Sequence, residues 1–131
     1  MNRVPALIVM HADLAAALLR AAATVYGPVD DVEVLSNEGL SRADLERAIE
    51  ERVARWKSGG LVLTDFWGGS CHMCSAIAVR GRGAVQVLTG LNLPTLIDFL
   101  HNRDTLDADA LAERLLRKGQ ESIRLQRGQA A

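Results

Sequence analysis

Four short runs of apolar residues, separated by stretches with helical spacing, constrain the fold of this chain more than any other feature. The runs lie at residues 4–10, 32–35, 61–64 and 84–88. Nearly continuous apolar runs of this length are typical of strands covered on both faces of a parallel sheet. Parallel neighbours need crossover connections, which helices commonly provide. We therefore expect an α/β fold: an open, doubly wound, mainly parallel sheet with helices on both faces and the flavodoxin-like strand order 2-1-3-4.

Helical spacing and helix-end signals place five helices between and after these strands. They are predicted at residues 14–26, 42–57, 70–80, 94–100 and 108–118. Asp13 stands at the N-cap position of the first helix, and Gly27 ends it. Ser41 and Asp44 resemble a capping box at the start of the second. Beyond the last helix, residues 121–127 alternate apolar and polar side chains, which predicts an antiparallel edge strand.

Length and composition fit one small globular domain over residues 1–131. Apolar residues make up 49% of the chain and charged residues 24%, which excludes disordered and fibrous classes. A formal net charge of -1 offers no electrostatic basis for nucleic-acid binding. No apolar run approaches the roughly 20 residues of a membrane span, and the N-terminus lacks the pattern of a signal peptide. We therefore expect a cytoplasmic protein.

Two side chains that carry chemistry follow the first and third strands. His11 ends the first strand and Asp65 ends the third. In the strand order 2-1-3-4 these strands are neighbours, and ligands of such sheets bind at their carboxyl ends, where the strand order reverses. A carboxylate that accepts the Nδ1 proton of an imidazole leaves Nε2 with a free lone pair. The sequence therefore predicts that Asp65 orients His11 as a nucleophile or base.

The residues after Asp65 favour an anion beside this pair. Gly68, Gly69 and Ser70 precede the third helix, so that backbone N–H groups, a hydroxyl and the positive helix end converge. Such a site suits a phosphoryl group, whose transfer between side chains needs positioned donors. We expect no metal and no cofactor other than a transient phosphohistidine.

Cys71 and Cys74 leave two further interpretations open. A C-x-x-C pair at a helix start is typical of a redox dithiol, in which the helix dipole would lower the pKa of Cys71. Packing of both thiols as small apolar groups is the favoured interpretation, and a zinc site would need more ligands than the segment offers. Asp65 with Thr89 also resembles a receiver-type phosphoacceptor, but no acidic pair for magnesium accompanies it.

Three stretches of the chain resemble a known family. Residues 8–11 (IVMH), 63–70 (LTDFWGGS) and 89–94 (TGLNLP) are similar to the IIA component of the mannose-type (mannose/fructose/sorbose) phosphoenolpyruvate-dependent sugar phosphotransferase system. The resemblance implies a phosphotransferase that takes a phosphoryl group from the phosphocarrier HPr and passes it to a IIB component, for sugar uptake by membrane IIC and IID components. It also implies a homodimer whose last strand is exchanged.

The resemblance also assigns roles to individual residues. His11 would accept the phosphoryl group at Nε2, Asp65 would orient the imidazole and Ser70 would bond the phosphoryl oxygens. The neighbouring residues fall into two predicted groups: Gly68, Gly69, Cys71 and His72 at the phosphoryl-binding helix start, and Phe66, Trp67 and Asn92 on a partner surface.

Two departures from the family pattern bear on function. The family usually has Gly directly after its histidine, where Ala12 stands here, so the backbone after His11 is expected to change. The segment from Cys71 to Cys74 replaces the usual Pro, Phe and Asn. Two alternative functions therefore remain: a regulatory phosphoacceptor that serves no transporter, and a thiol-switched binding module that uses Cys71 and Cys74.

Overall fold

Four strands and five helices alternate along residues 3–130, the range of the chain that the computed structural model describes. In chain order they are β1 Ala6–Met10, α1 Leu14–Tyr26, β2 Val32–Ser36, α2 Arg42–Val53, β3 Gly60–Thr64, α3 Ser70–Ala78, β4 Val85–Thr89, α4 Leu93–Asn102 and α5 Ala108–Glu121. The predicted α/β class is confirmed. No helix within the described range is long and apolar enough to cross a membrane.

The strands form one parallel sheet in the order β2-β1-β3-β4, which confirms the predicted topology. β1 and β3 are central neighbours, with Val9 opposite Thr64. The residues that follow these two strands therefore leave the sheet at the same edge. This register brings His11 and Asp65 together although 54 positions separate them.

Alternate residues of the central strands supply two cores, one on each face of the sheet. Ile8 and Leu63 face the core that α1, α4 and α5 cover, whereas Leu7 and Val62 face the core under α2 and α3. Both faces of β1 and β3 are buried, which explains the continuous apolar runs in the sequence.

The helix starts agree with the sequence in one case and differ in another. The Ser41 hydroxyl accepts a hydrogen bond from the Asp44 backbone N–H, as the predicted cap requires. Asp13 is the N-cap residue of α1, as predicted, but its carboxylate makes no cap hydrogen bond. Its backbone (φ -99°, ψ 16°) lies outside the extended region that a capping side chain needs.

The C-terminal segment differs from the predicted edge strand. Helix α5 continues to Glu121, and residues 123–130 pair with no strand in the described chain. Ile123 and Leu125 lie exposed. A lone strand leaves its backbone groups without partners, so residues 121–127 do not form one within a single copy.

One buried cation joins the amino-terminal edge of the sheet to α4. Arg103 follows α4 and is 3% exposed. Its guanidinium donates to the backbone carbonyls of Val4, Asp30 and Asp31 at 2.6–3.1 Å. It thereby ties the start of β1 to the loop before β2. Nothing in its sequence context distinguishes this arginine from the surface arginines.

Candidate active site

His11 and Asp65 form one hydrogen-bonded pair at the carboxyl edge of the sheet. The His11 Nδ1 lies 2.7 Å from Asp65 Oδ2, and the His11 backbone N–H donates to the same oxygen at 3.0 Å. The second oxygen, Oδ1, accepts from the Phe66 backbone N–H at 3.1 Å. The carboxylate is 10% exposed and the imidazole 35%. The predicted pairing of these two residues is present, and both carboxylate oxygens accept hydrogen bonds.

The electrostatics of Asp65 set the tautomer of the imidazole. Burial acts to raise the pKa of Asp65, but the hydrogen bonds from His11 together outweigh it and hold that pKa below its usual value. An ionised carboxylate only accepts hydrogen bonds, so Nδ1 carries the proton of the neutral ring. Nε2 therefore has the free lone pair of the neutral imidazole, a ring that is 35% exposed.

The start of α3 faces this nitrogen. The Ser70 Oγ lies 3.4 Å from His11 Nε2. Gly69 is the N-cap residue and provides no capping side chain, so no side-chain cap occupies the first N–H groups of the helix. A Cβ on Gly69 would lie 2.6 Å from Phe66 Cζ and 3.1 Å from His11 Cε1. A glycine at this position thus lets the backbone approach the imidazole and the Phe66 ring closely.

Gly68 and His72 are close to the site, but their polar groups contact each other. The Gly68 backbone N–H donates to His72 Nδ1 at 3.0 Å. The side chain of Cys71 is fully buried beneath the helix start. Among the four residues predicted to bind the phosphoryl group, Gly69 thus lies close to the His11 ring, whereas the Gly68 N–H already donates to His72.

The three residues predicted for a partner surface differ in their contacts and exposure. Phe66 stacks on the His11 ring with centroids 5.0 Å apart, and Trp67 is 80% exposed. Asn92 caps α4 by accepting from the Thr95 N–H, and its amide donates to the Ser122 hydroxyl. Phe66 thus lies against the histidine and Trp67 projects into solvent, while the Asn92 side chain joins the start of α4 to the end of α5.

The backbone after His11 keeps a conformation that glycine adopts most easily. Ala12 has a φ of +52°, in the left-handed region. The expected change at this position is therefore absent, and alanine accepts a strain of about 1 kcal/mol. The Ala12 N–H donates to Asn37 Oδ1 at 3.2 Å, which holds the turn. Sequence reasoning missed Asn37, although its place directly after β2, the neighbour of β1, was a usable signal.

The two thiols do not have the properties of a redox pair. Cys71 and Cys74 are free and buried in the core under α2 and α3. Burial, together with the negative charge of Asp65, raises the pKa of Cys71 to about 11. The lowered thiol pKa expected from a helix start is therefore wrong, because desolvation exceeds the effect of the helix dipole.

Alkylation tests this assignment of the thiols. We expect iodoacetamide to leave Cys71 and Cys74 unmodified at neutral pH in the folded protein and to modify both in urea. Because the pKa of Cys71 lies at about 11, modification of the folded protein should rise only above about pH 9. Rapid alkylation of Cys71 at neutral pH would contradict the assignment and revive the thiol-switch alternative.

A metal ion has one candidate set of ligands near the histidine. One potential ligand atom each from His11, Asp65 and Cys71 lies within 4.8 Å of the others. The imidazole Nδ1 and the carboxylate Oδ2 already hydrogen-bond to each other at 2.7 Å. The arrangement favours the hydrogen-bonded pair over a bound metal.

Several proteins that are similar to this chain are components of the sugar phosphotransferase system (PTS). The family described as PTS system fructose IIA component matches residues 6–116. The sorbose-specific EIIA component of Klebsiella pneumoniae is 30% identical over 113 residues, 86% of this chain and 84% of that protein. The corresponding protein of Lacticaseibacillus casei is 27% identical over 85% of this chain and 82% of its own.

A solved structure agrees with these relatives. The phosphotransferase system component EIIA from Streptococcus agalactiae superposes with a TM-score of 0.84 and 26% identity, covering 92% of this chain and 95% of that chain. The chain belongs to the mannose-type IIA family of the PTS. It is a component of PTS sugar phosphotransfer, and its general activity is that of a phosphotransferase.

Proposed function

We propose that this protein is a phosphohistidine carrier, which accepts a phosphoryl group from HPr on His11 and passes it to a IIB component. The observation that carries the proposal is the pair formed by His11 Nδ1 and Asp65 Oδ2 at 2.7 Å. This contact fixes the tautomer that leaves Nε2 free to act as a nucleophile. Membrane IIC and IID components would then use the phosphoryl group in sugar uptake.

The proposed transfer requires no net change in protons. The lone pair of His11 Nε2 attacks the phosphorus of phosphorylated HPr, and the new N–P bond forms as the bond to the donor breaks. The imidazole gains positive charge in this step, which the ionised Asp65 stabilises through Nδ1–H. Ser70 and the N–H groups at the start of α3 bind the phosphoryl oxygens. Transfer to IIB reverses the same steps.

The proposed step needs neither a metal nor an organic cofactor. Catalysis of phosphoryl transfer consists mainly of positioning and charge stabilisation. The charged carboxylate and the helix start provide both from residues of this chain. Chelator treatment is therefore expected to leave the rate of phosphorylation unchanged.

Incubation with phosphoenolpyruvate, enzyme I and HPr tests the proposal. We expect mass spectrometry to show one added phosphoryl group, stable in base and lost in acid. The His11→Gln variant should gain none. His101→Gln is the matched control, because His101 is exposed and lies in α4, away from the site. If the folded wild-type protein stays unmodified, the proposed carrier function is wrong. A regulatory phosphoacceptor, in contrast, would be phosphorylated by HPr but would not phosphorylate IIB.

The exposed C-terminal segment supports a homodimer with exchanged strands, as a second element of the proposal. Ile123 and Leu125 are 84% and 75% exposed, on a segment that pairs with no strand in the described chain. A second copy would supply the missing pairing partner. We expect sedimentation to find a dimer for the full chain and a folded monomer for a chain that ends at Ser122. A monomeric full chain would contradict this element.

A further inference from the structure

His72 lies in the segment from Cys71 to Cys74, and its side chain contacts the loop in front of α3. It is the third residue of that helix and is only 7% exposed. Its Nδ1 accepts a hydrogen bond from the Gly68 backbone N–H at 3.0 Å. In a capping box, the side chain of the third helical residue reaches back to the backbone N–H of the N-cap residue. Here an imidazole reaches back in the same way, to the N–H of the residue that precedes the N-cap.

The contact with Gly68 defines the protonation of His72. An acceptor nitrogen has no proton, so the neutral ring must carry its proton on Nε2. His11 has the opposite tautomer, with its proton on Nδ1 toward Asp65. The two histidines of the site therefore differ in chemistry: His11 presents a lone pair from Nε2, and His72 directs a lone pair from Nδ1 to the backbone.

The loop that His72 holds shapes the surroundings of His11. Gly68 has a φ of +87°, which side-chain-bearing residues rarely adopt, so an external hydrogen bond helps to define this turn. Gly69 follows and packs against the Phe66 and His11 rings. Ser70 comes next, with its hydroxyl 3.4 Å from Nε2. A shift at Gly68 would therefore move both the Gly69 backbone, which lies against the His11 ring, and the Ser70 hydroxyl.

The same imidazole supports the exposed indole of Trp67. The two ring centroids lie 4.2 Å apart, and the ring planes are inclined by 32°. Because Trp67 is 80% exposed, it has few other contacts that could define its orientation. His72 thus contacts both the residue that turns the loop and the ring that projects from it.

We infer that His72 is a positioning residue for phosphoryl transfer: its neutral Nε2–H tautomer fixes the loop 67–70 through the hydrogen bond that Nδ1 accepts from the Gly68 N–H. This inference rests on the proposed carrier function. It gives a role to a residue of the segment that departs from the family pattern. In this inference His72 acts through the loop, by way of its contact with Gly68.

Two substitutions of similar size separate the hydrogen bond from packing. In His72→Asn, the amide oxygen takes the position of Nδ1 and can accept from Gly68. His72→Leu has nearly the same shape as Asn but no acceptor. We expect the Asn variant to be phosphorylated by HPr at close to the wild-type rate and the Leu variant about tenfold more slowly. Equal rates in two folded variants, checked by circular dichroism and urea midpoint, would overturn the inference.

Nuclear magnetic resonance of the unphosphorylated protein supplies a readout that does not depend on phosphoryl transfer. Nitrogen-15 spectra of the imidazoles should show the Nε2–H tautomer for His72 and the Nδ1–H tautomer for His11. The Gly68 amide should exchange slowly in the wild type and in His72→Asn, and rapidly in His72→Leu. An Nδ1–H tautomer at His72, or an unprotected Gly68 amide, would overturn the inference. If HPr fails to phosphorylate the wild type while these spectra appear as expected, the proposed carrier function is wrong. The spectra would then still show that His72 holds the loop at Gly68.

Discussion

Replacing Asp65 by Asn is expected to slow phosphorylation of His11 by a factor of about one hundred or more. The native carboxylate accepts from His11 through one oxygen and from the Phe66 N–H through the other. An amide has one acceptor atom, so either orientation of Asn places its NH₂ group against one of these donors. The variant also removes the negative charge that stabilises the phosphorylated imidazole. The rate of phosphoryl transfer from HPr measures the effect.

Asp13→Asn is the matched control for this experiment. It removes the same charge two positions from His11, but its carboxylate is exposed and makes no cap hydrogen bond. We expect its phosphorylation rate to stay within a factor of about two of the wild type, because exposed charges are screened. Equal slowing by both variants would mean that Asp65 acts only through the net charge of the surface. Unchanged kinetics in Asp65→Asn would show that another group orients the imidazole.

Arg103→Met is expected to destabilise the fold by about 3–5 kcal/mol, the largest loss that we expect from a substitution outside the site. The guanidinium bonds the carbonyls of Val4, Asp30 and Asp31, and methionine would leave all three acceptors without this donor. Burial lowers the pKa of Arg103 from its usual value, yet an arginine remains protonated at neutral pH. Urea unfolding measures the change in the free energy of unfolding.

Arg114→Met provides the comparison for Arg103. Arg114 makes two hydrogen bonds to Asp98, but this ion pair lies at the surface of α4 and α5. Solvent screens such a pair, so its loss should cost a small fraction of the loss at Arg103. Similar urea midpoints for the two variants would contradict the structural role of Arg103. A stable, active Arg103→Met protein would do so as well.

The elements of the fold that follow from residue periodicity could be predicted from the sequence. The buried strands β1 and β3 have continuous apolar runs, and the bounds of α1 agree between sequence and structure. The pairing of His11 with Asp65 followed from the strand order, because adjacent parallel strands end at the same edge. These features depend on burial and on chain topology, and both leave a clear signal in the order of apolar and polar residues.

The contacts that complete the site depend on side-chain directions and on the folded backbone. The Asn37 bond to Ala12 and the His72 bond to Gly68 join a side chain to a backbone N–H across a turn. Such contacts have no periodicity that a sequence displays. The raised pKa of Cys71 results mainly from burial of this thiol in the first turn of α3. The sequence does not specify how deeply that turn is buried. The edge strand predicted at residues 121–127 does not form in the described chain: α5 continues to Glu121, and the residues beyond it pair with no strand.

Location of the phosphoryl group on the modified protein tests the central claim most directly. After reaction with phosphoenolpyruvate, enzyme I and HPr, tandem mass spectrometry should place the group on His11, and phosphorus-31 spectra should identify the Nε2 isomer. We expect a single acid-labile phosphoryl group, bonded to Nε2 of His11. A phosphoryl group on Asp65 or Ser70, on Nδ1 of His11, or on another histidine would contradict the assignment of His11 Nε2 as the nucleophile.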